Sequence, residues 1–264
     1  MKATRSCLLA LLLTFSFVSP TSVNAQDPWA RAALPTACYG EQDNYAEAME
    51  QAKTDLETEG TRRDGVNKAL RDQIFGLDPA ALQQRLMAAV QKNPAQAQEI
   101  MAAIQQQGTQ ENTGATMTAS HEHIQFEQKK EALGSAYKAE RDATLNPIVA
   151  RIRQHDKGKG TTAEDQRIMR EGWAEYNSKY ETVLCAKWWK QKAPALMAEF
   201  RTFQKDQQIP KAATVEASSK RLLDLFGFSS ATYQPTAEIS GVIAYLRFAI
   251  DLFRDREGAP GGAK

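Results

Sequence analysis

Apolar side chains recur every three or four positions through most of this chain, and the strict alternation typical of β-strands is almost absent. Spacing of this kind predicts amphipathic helices that each bury one face. The clearest stripe begins near Thr236 and consists of Ile239, Val242, Ile243, Leu246, Ile250 and Phe253. The pattern therefore predicts an all-α chain.

The first helix is predicted from about Asp43 to Phe75. Glu59 and Arg63 interrupt its apolar seam, but they lie four residues apart and can form an ion pair on one helix face. Gly60 and Gly65 weaken the helix by about 1 kcal/mol each relative to alanine. We favour one bent helix over two separate ones.

A second long helix is predicted from residue 120 to about 155, with Pro147 expected to kink or divide it. A threonine at 161 or 162, with an acidic residue three positions later, is typical of a capping box that opens the next helix. Pro194 is expected to bend or restart this helix, and Pro210 to separate it from the following one. Gly227 is placed to end that following helix in a Schellman cap.

Two short helices are predicted between the first two long ones. Asp78-Pro79 and Asn93-Pro94 each provide an N-cap followed by proline, and the near-repeats Met-Ala-Ala-Val-Gln and Met-Ala-Ala-Ile-Gln follow them. The polar loop after them makes residues 78–119 a mobile hairpin. Methionine-rich faces adapt to varied partners, so this hairpin is the candidate protein-binding site, with ordinary packing as the alternative. Its apolar residues are Leu82, Leu86, Met87, Val90, Ile100, Met101 and Ile104.

Short connections between long amphipathic helices predict an antiparallel, coiled-coil-like helical bundle. We expect a single domain over residues 26–257 and a disordered tail over 258–264. Residues 41–64 are rich in acidic side chains and residues 129–159 in basic ones. These two segments either pack side by side or form two separately solvated faces, and the sequence does not choose between them.

The first residues show the three parts of a secretory signal peptide. Lys2 and Arg5 precede an apolar run that ends at Val18, and small residues precede a predicted cleavage site after Ala25. The run is about half of the roughly 20 residues that a membrane-spanning helix needs, which argues against an uncleaved anchor. We predict that residues 1–25 are removed and that the protein is periplasmic or secreted.

Charge and composition exclude two kinds of partner. The chain holds 33 Lys+Arg against 32 Asp+Glu, and loss of Lys2 and Arg5 leaves a net charge of about −1. No basic field is present to bind nucleic acid. The most apolar later segment is interrupted by Arg247 and Asp251, so we predict no membrane span after signal cleavage.

Two cysteines remain in the predicted mature chain, Cys38 and Cys185. In an oxidising compartment, a single pair predicts one disulfide bond. The bond would close a loop of about 150 residues. By restricting the unfolded chain, closure of such a loop would stabilise the fold by roughly 5 kcal/mol. The alternative is a reactive thiol, but neither cysteine has a histidine or second cysteine beside it.

His121 and His123 suggest a metal site, with Glu127 as a further ligand. The zinc-protease pattern His-Glu-x-x-His fails, because Gln125 stands at the second histidine position. Zinc usually takes three or four protein ligands. The alternative is a set of exposed polar residues at the start of a helix.

One helix concentrates five aromatic residues, which could line a pocket for a flat or greasy ligand. Aromatic residues at helical spacing more often fill a core, because each buries a large area. The five residues are Trp173, Tyr176, Tyr180, Trp188 and Trp189.

Catalytic signatures are missing from the sequence: it contains no Gly-x-Ser-x-Gly, no phosphate-binding glycine loop and no Cys-x-x-Cys. We therefore predict a non-enzymatic exported protein without a cofactor that acts by binding another protein, as an envelope accessory, chaperone-like or toxin-neutralising factor. A small-ligand or metal-binding bundle is the alternative. A hydrolase of envelope polymers, using unrecognised carboxylates, is the third hypothesis.

Overall fold

The structure, a computed structural model, describes residues 27–34, 42–92, 94–98, 101–102 and 121–254. Every regular element in these ranges is helical, which confirms the prediction of an all-α chain. The predicted signal peptide and C-terminal tail lie outside the described residues. The same is true of the polar loop of the predicted hairpin.

Helix α1 spans Gln42–Phe75 as one continuous element, as the sequence predicts. Its buried stripe includes Met49, Leu56 and Leu70. The predicted pair within the seam is also present, since Arg63 Nε lies 2.8 Å from Glu59 Oε1. The two charged residues that interrupt the apolar seam therefore pair with each other, and the helix continues through them.

Helix α2, Pro79–Lys92, follows a short turn after α1. Asp78 caps it as predicted, because Oδ1 accepts a 2.9 Å hydrogen bond from the Ala81 N–H. A 3₁₀ turn at Pro94–Gln96 comes next, and the described residues at 97–98 and 101–102 are helical.

Helix α3, His121–His155, continues through Pro147 without being divided. A 3₁₀ turn at Gly158–Gly160 leads to α4, Ala163–Lys179. The predicted capping box is formed by Thr162 and Asp165, each of whose side chains bonds the backbone N–H of the other. The tight turn places α4 against α3.

From residue 163 to residue 225 the backbone is helical without interruption, and the prediction that Pro210 separates two helices is wrong. The segment consists of α4, a π-helix at Tyr180–Lys192, α5 at Ala193–Phe203, a second π-helix at Gln204–Gln208, and α6 at Ile209–Leu225.

Each π-helical stretch ends two residues before a proline. The last N–H before Pro194 donates from Ala193 to Trp188 O, and the last one before Pro210 donates from Ile209 to Gln204 O. These bonds span five residues instead of four. Proline normally clashes with the carbonyl four residues earlier. We attribute the unbroken helix to this wider spacing, which displaces that carbonyl.

Helix α6 ends in the predicted Schellman cap. Gly227 has a φ of +77°, and the Phe228 N–H donates to Leu223 O over 2.9 Å. Helix α7, Ala237–Arg254, follows and buries the predicted stripe. Its N-terminus is capped from α6, because Glu216 Oε1 accepts bonds from the backbone of Thr236 and Ala237.

The helices pack around one large core and one smaller cluster. In the large core, α1 packs along α7 and α3 packs along α4. The acidic half of α1 therefore has α7 as its main neighbour rather than the basic part of α3. The smaller cluster, which we call the second cluster, consists of Leu70, Ile74, Ala89, Leu222, Leu223, Phe226 and Tyr233.

A short 3₁₀ helix at Pro28–Arg31 closes one end of the large core. Trp29 is 4% exposed, and its ring lies 5.5 Å from that of Tyr245. Arg201 and Lys205 both lie 4.9 Å from the Trp29 ring centroid. The first described residues are thus part of the core.

Candidate functional site

The most exposed apolar side chains lie on α2 and the short segment after it. We call α2 together with the described residues of 94–102 the arm. Met87 is 54% exposed and Met101 is 47% exposed, more than any other large apolar side chain in the described ranges. Both begin the repeated Met-Ala-Ala pentads, so the repeat places the same side chain outward twice.

The arm is attached to the bundle through another face of α2. Leu82, Leu86 and Val90, spaced four residues apart, are half-buried against the second cluster. Arg85 adds a polar contact, since its Nη1 donates to Phe226 O over 3.4 Å and its guanidinium lies 4.7 Å from the Phe228 ring. One face of α2 is thereby fixed.

The seven predicted partner-binding residues therefore do not share one surface. Three pack on the bundle, two are exposed, and Ile100 and Ile104 lie outside the described residues. Among the described members, only Met87 and Met101 are presented outward. The sequence pattern identified the apolar residues of the arm but not which of them the second cluster covers.

A cleft of about 760 Å³ opens elsewhere, between the N-terminal 3₁₀ helix, the middle of α1 and the start of α7. Leu56 and Ile239 are buried side chains in its wall. The charged groups around it are four carboxylates and two guanidiniums, from Asp27, Asp55, Glu59, Glu238, Arg31 and Arg63. Apolar spacing in the sequence does not indicate this site, because its walls come from three segments that are separated in the chain.

One carboxylate of the cleft is held ionised. Hydrogen bonds from Arg62 and Arg63 lower the pKa of Glu59 to about 2. Glu59 therefore does not carry the proton that a general acid of glycoside hydrolysis must donate. The side chain orders the wall of the cleft instead.

Polar residues of α1 hold the connection between α6 and α7 in place. Asn67, 1% exposed, donates to Gln234 O over 2.7 Å and accepts from Gln234 N over 2.8 Å. Arg63 Nη1 donates to Pro235 O over 2.8 Å. These contacts fix one rim of the cleft, and nothing in the sequence spacing indicates that Asn67 points inward.

The aromatic residues of the long helix are mostly core residues, which was the alternative to a ligand pocket. Tyr176, Tyr180, Trp188 and Trp189 are 1–3% exposed, and Trp173 is half-buried against the same core. Trp188 Nε1 donates to Glu140 over 3.0 Å, and the Tyr137 ring lies 4.7 Å from that of Trp189. The helix contributes packing rather than an open pocket.

The histidine pair is placed at the exposed start of α3. His123 Nε2 lies 3.8 Å from Glu127 Oε1, whereas His121 contacts Gln125. No group of three potential metal ligands occurs among the residues that the structure describes. The third histidine, His155, is engaged elsewhere, with Nδ1 2.8 Å from Asp165.

The predicted disulfide has only one of its two cysteines in the described ranges. Cys185 is fully buried in the large core, within the first π-helical stretch. Cys38 lies outside the described residues, so the bond stays a prediction.

Comparison with models of known protein families, with characterised proteins and with solved structures finds no match. Within the described ranges, no helix combines the length and the apolar character that crossing a bilayer requires. The arm and the cleft are therefore the two candidate functional sites.

Proposed function

We propose that this chain is an exported, non-enzymatic helical protein that binds another protein through the outward face of the arm. The observation that carries the proposal is the exposure of Met87 and Met101, 54% and 47%, on the arm, whose helix α2 packs on the second cluster through other residues. Flexible thioether side chains fill irregular apolar pockets, and burial of each one removes apolar area from water.

The arm is suited to binding because it combines a fixed base with adaptable contacts. Leu82, Leu86 and Val90 hold α2 on the second cluster, so little ordering is required when a partner docks. Deletion of residues 78–119 would expose that cluster to water, so a loss of binding could not be distinguished from a loss of folding. Surface substitution is the cleaner test.

The test is capture of partner from an envelope extract of the native cell by the immobilised mature chain. We expect Met87→Gln/Met101→Gln to reduce capture about tenfold, because glutamine keeps the length and helix propensity but not the apolar surface. Val215→Gln is the matched control, since Val215 is also exposed, at 37%, but lies on α6. Equal capture by all three proteins would contradict the proposal.

We also propose that residues 1–25 are a cleaved signal peptide and that Cys38 and Cys185 form a disulfide. Two observations support the disulfide: Cys185 is buried, and Trp29 and Ala32 belong to the same large core. Cys38 follows Leu34 by four residues, which reach at most about 14 Å. Protein from the envelope fraction should begin at Gln26 and show no titratable thiol when unfolded without reductant; two titratable thiols would refute the bond.

A second candidate function, binding of a small ligand, is favoured by the cleft. Its lining has two more carboxylates than guanidiniums, next to Leu56 and Ile239. This combination suits a ligand that carries a cationic group beside an apolar one. The cleft shares no lining residue with the arm, so the two functions can be tested separately.

Thermal shift with spermine and with short lysine–leucine peptides tests the cleft. We expect these ligands to raise the melting temperature of the wild type but not of Asp55→Asn/Glu238→Gln. Glu181→Gln, an exposed substitution on the first π-helical stretch, is the control. No shift in the wild type, or an equal shift in all three proteins, would exclude this function.

A further inference from the structure

The methionines of the described chain divide into two groups by exposure. Met49 and Met197 are 4% and 0% exposed in the large core, and Met169 is half-buried. Met87 and Met101, both on the arm, are 54% and 47% exposed. Among the described methionines, the exposed side chains are therefore those on the proposed binding face.

Exposure decides whether a peroxide reaches a methionine thioether. In that reaction an S–O bond forms and the O–O bond of the peroxide breaks. The sulfur loses two electrons, and hydrogen peroxide leaves as water. The product is methionine sulfoxide, which is polar, and it can be reduced again by a dithiol that becomes a disulfide as the oxygen leaves as water.

We propose that Met87 and Met101 are a paired oxidation site through which peroxide weakens partner binding. This inference rests on the proposed function, because it assigns a regulation to the same surface. Both side chains begin a repeated pentad and both are exposed, so the same oxidant can reach both.

The position of the two residues separates binding from stability. A sulfoxide at Met87 or Met101 stays hydrated in the free protein, because its side chain does not belong to either core cluster. In a complex the same oxygen is removed from water into an apolar contact, where an unpaired acceptor is unfavourable. Oxidation is therefore expected to weaken binding without unfolding the chain.

The first test is treatment of the folded mature chain with hydrogen peroxide, followed by peptide mass spectrometry. We expect Met87 and Met101 to oxidise at least ten times faster than Met49 and Met197, and all four at similar rates in urea. The melting temperature should be unchanged when the arm residues alone are oxidised. Oxidation of Met87 no faster than that of Met197, or unfolding that accompanies it, overturns the proposal.

The second test repeats the capture assay after peroxide treatment. Wild type should lose capture about tenfold and regain it with a methionine sulfoxide reductase and dithiol, while Met87→Leu/Met101→Leu should keep it throughout. Capture that survives oxidation of both residues overturns the regulation alone. An untreated wild type that captures nothing overturns the proposed function and the regulation with it, so capture by the untreated protein separates these two cases.

Discussion

At the scale of single residues, Asn67 is the buried polar group on which the connection before α7 depends. Asn67→Ala should lower the free energy of unfolding by about 2–3 kcal/mol, because the backbone N–H and C=O of Gln234 both lose the Asn67 side chain as their hydrogen-bond partner. Urea denaturation measures the change. Lys68→Ala, at the exposed neighbouring position, should change stability by less than about 0.5 kcal/mol, and equal losses in both variants would contradict the role of Asn67.

Trp29 shows what a single residue adds at the start of the predicted mature chain. It is buried against Tyr245, and Arg201 and Lys205 both contact its ring, so Trp29→Ala should destabilise the protein by about 3–5 kcal/mol. Trp29→Phe should retain more than half of that stability, because most of the apolar contact remains. Thermal or urea unfolding of the two variants measures the difference. A Trp29→Ala variant as stable as the wild type would show that residues 27–34 do not belong to the core.

At the scale of elements, two glycines in helices have opposite roles. A Cβ at Gly241 would lie 2.5 Å from Ile209 Cγ1, whereas one at Gly65 would meet nothing within 4 Å. Gly241→Ala should therefore destabilise the contact of α7 with α6 by about 1–3 kcal/mol. Gly65→Ala should stabilise α1 by about 0.5–1 kcal/mol through helix propensity. Stabilisation by both substitutions, measured by denaturation, would refute the close approach.

The turn between α3 and α4 should be sensitive to acid. Hydrogen bonds from His155 first, then from Thr162 and Lys157, hold the pKa of Asp165 well below its ordinary value of 3.8. A depressed carboxyl pKa stabilises the fold above the unfolded pKa, and that stability disappears as pH falls through the folded pKa.

The corresponding variant is Asp165→Asn, which should be less stable than wild type at pH 7. The difference should shrink progressively as pH falls below about 3.8. Urea unfolding across pH 2.5 to 7 checks this, with the exposed Asp206→Asn as control. A difference that is constant with pH would show that the charge of Asp165 does not contribute.

Element boundaries could be predicted from the sequence where local chemistry decides them. The Asp78 cap, the Thr162 capping box and the Gly227 cap are all formed, because each depends on residues within one turn. Pro210 was predicted wrongly, because the π-helical stretch before it lets the helix continue. That change of register leaves no mark in the apolar spacing.

At the scale of the whole molecule, the pairing of helices and the location of the cleft could not be predicted. The complementary charges of α1 and α3 suggested that these two helices could pack side by side. In the structure α1 packs along α7 instead, and Arg247 Nη2 lies 2.6 Å from Glu57. Exposed ion pairs contribute about 0–1 kcal/mol, too little to select a neighbour against the burial of apolar stripes. The cleft arises from that pairing, so its lining could not be read from periodicity.

The arm was predictable as a short, methionine-rich helical segment, but its division into two faces was not. That division depends on the second cluster, to which α1 and α6 contribute residues more than 100 positions apart. The proposed function requires that the outward face, and not another apolar surface, contacts a partner.

Site-specific photo-crosslinking in the native cell tests that claim most directly. A photoreactive amino acid at position 87 or 101 should give the same protein adduct, whereas one at position 183, also exposed and apolar but on the first π-helical stretch, should not. Adducts from position 183 alone, or none from positions 87 and 101, would contradict the account.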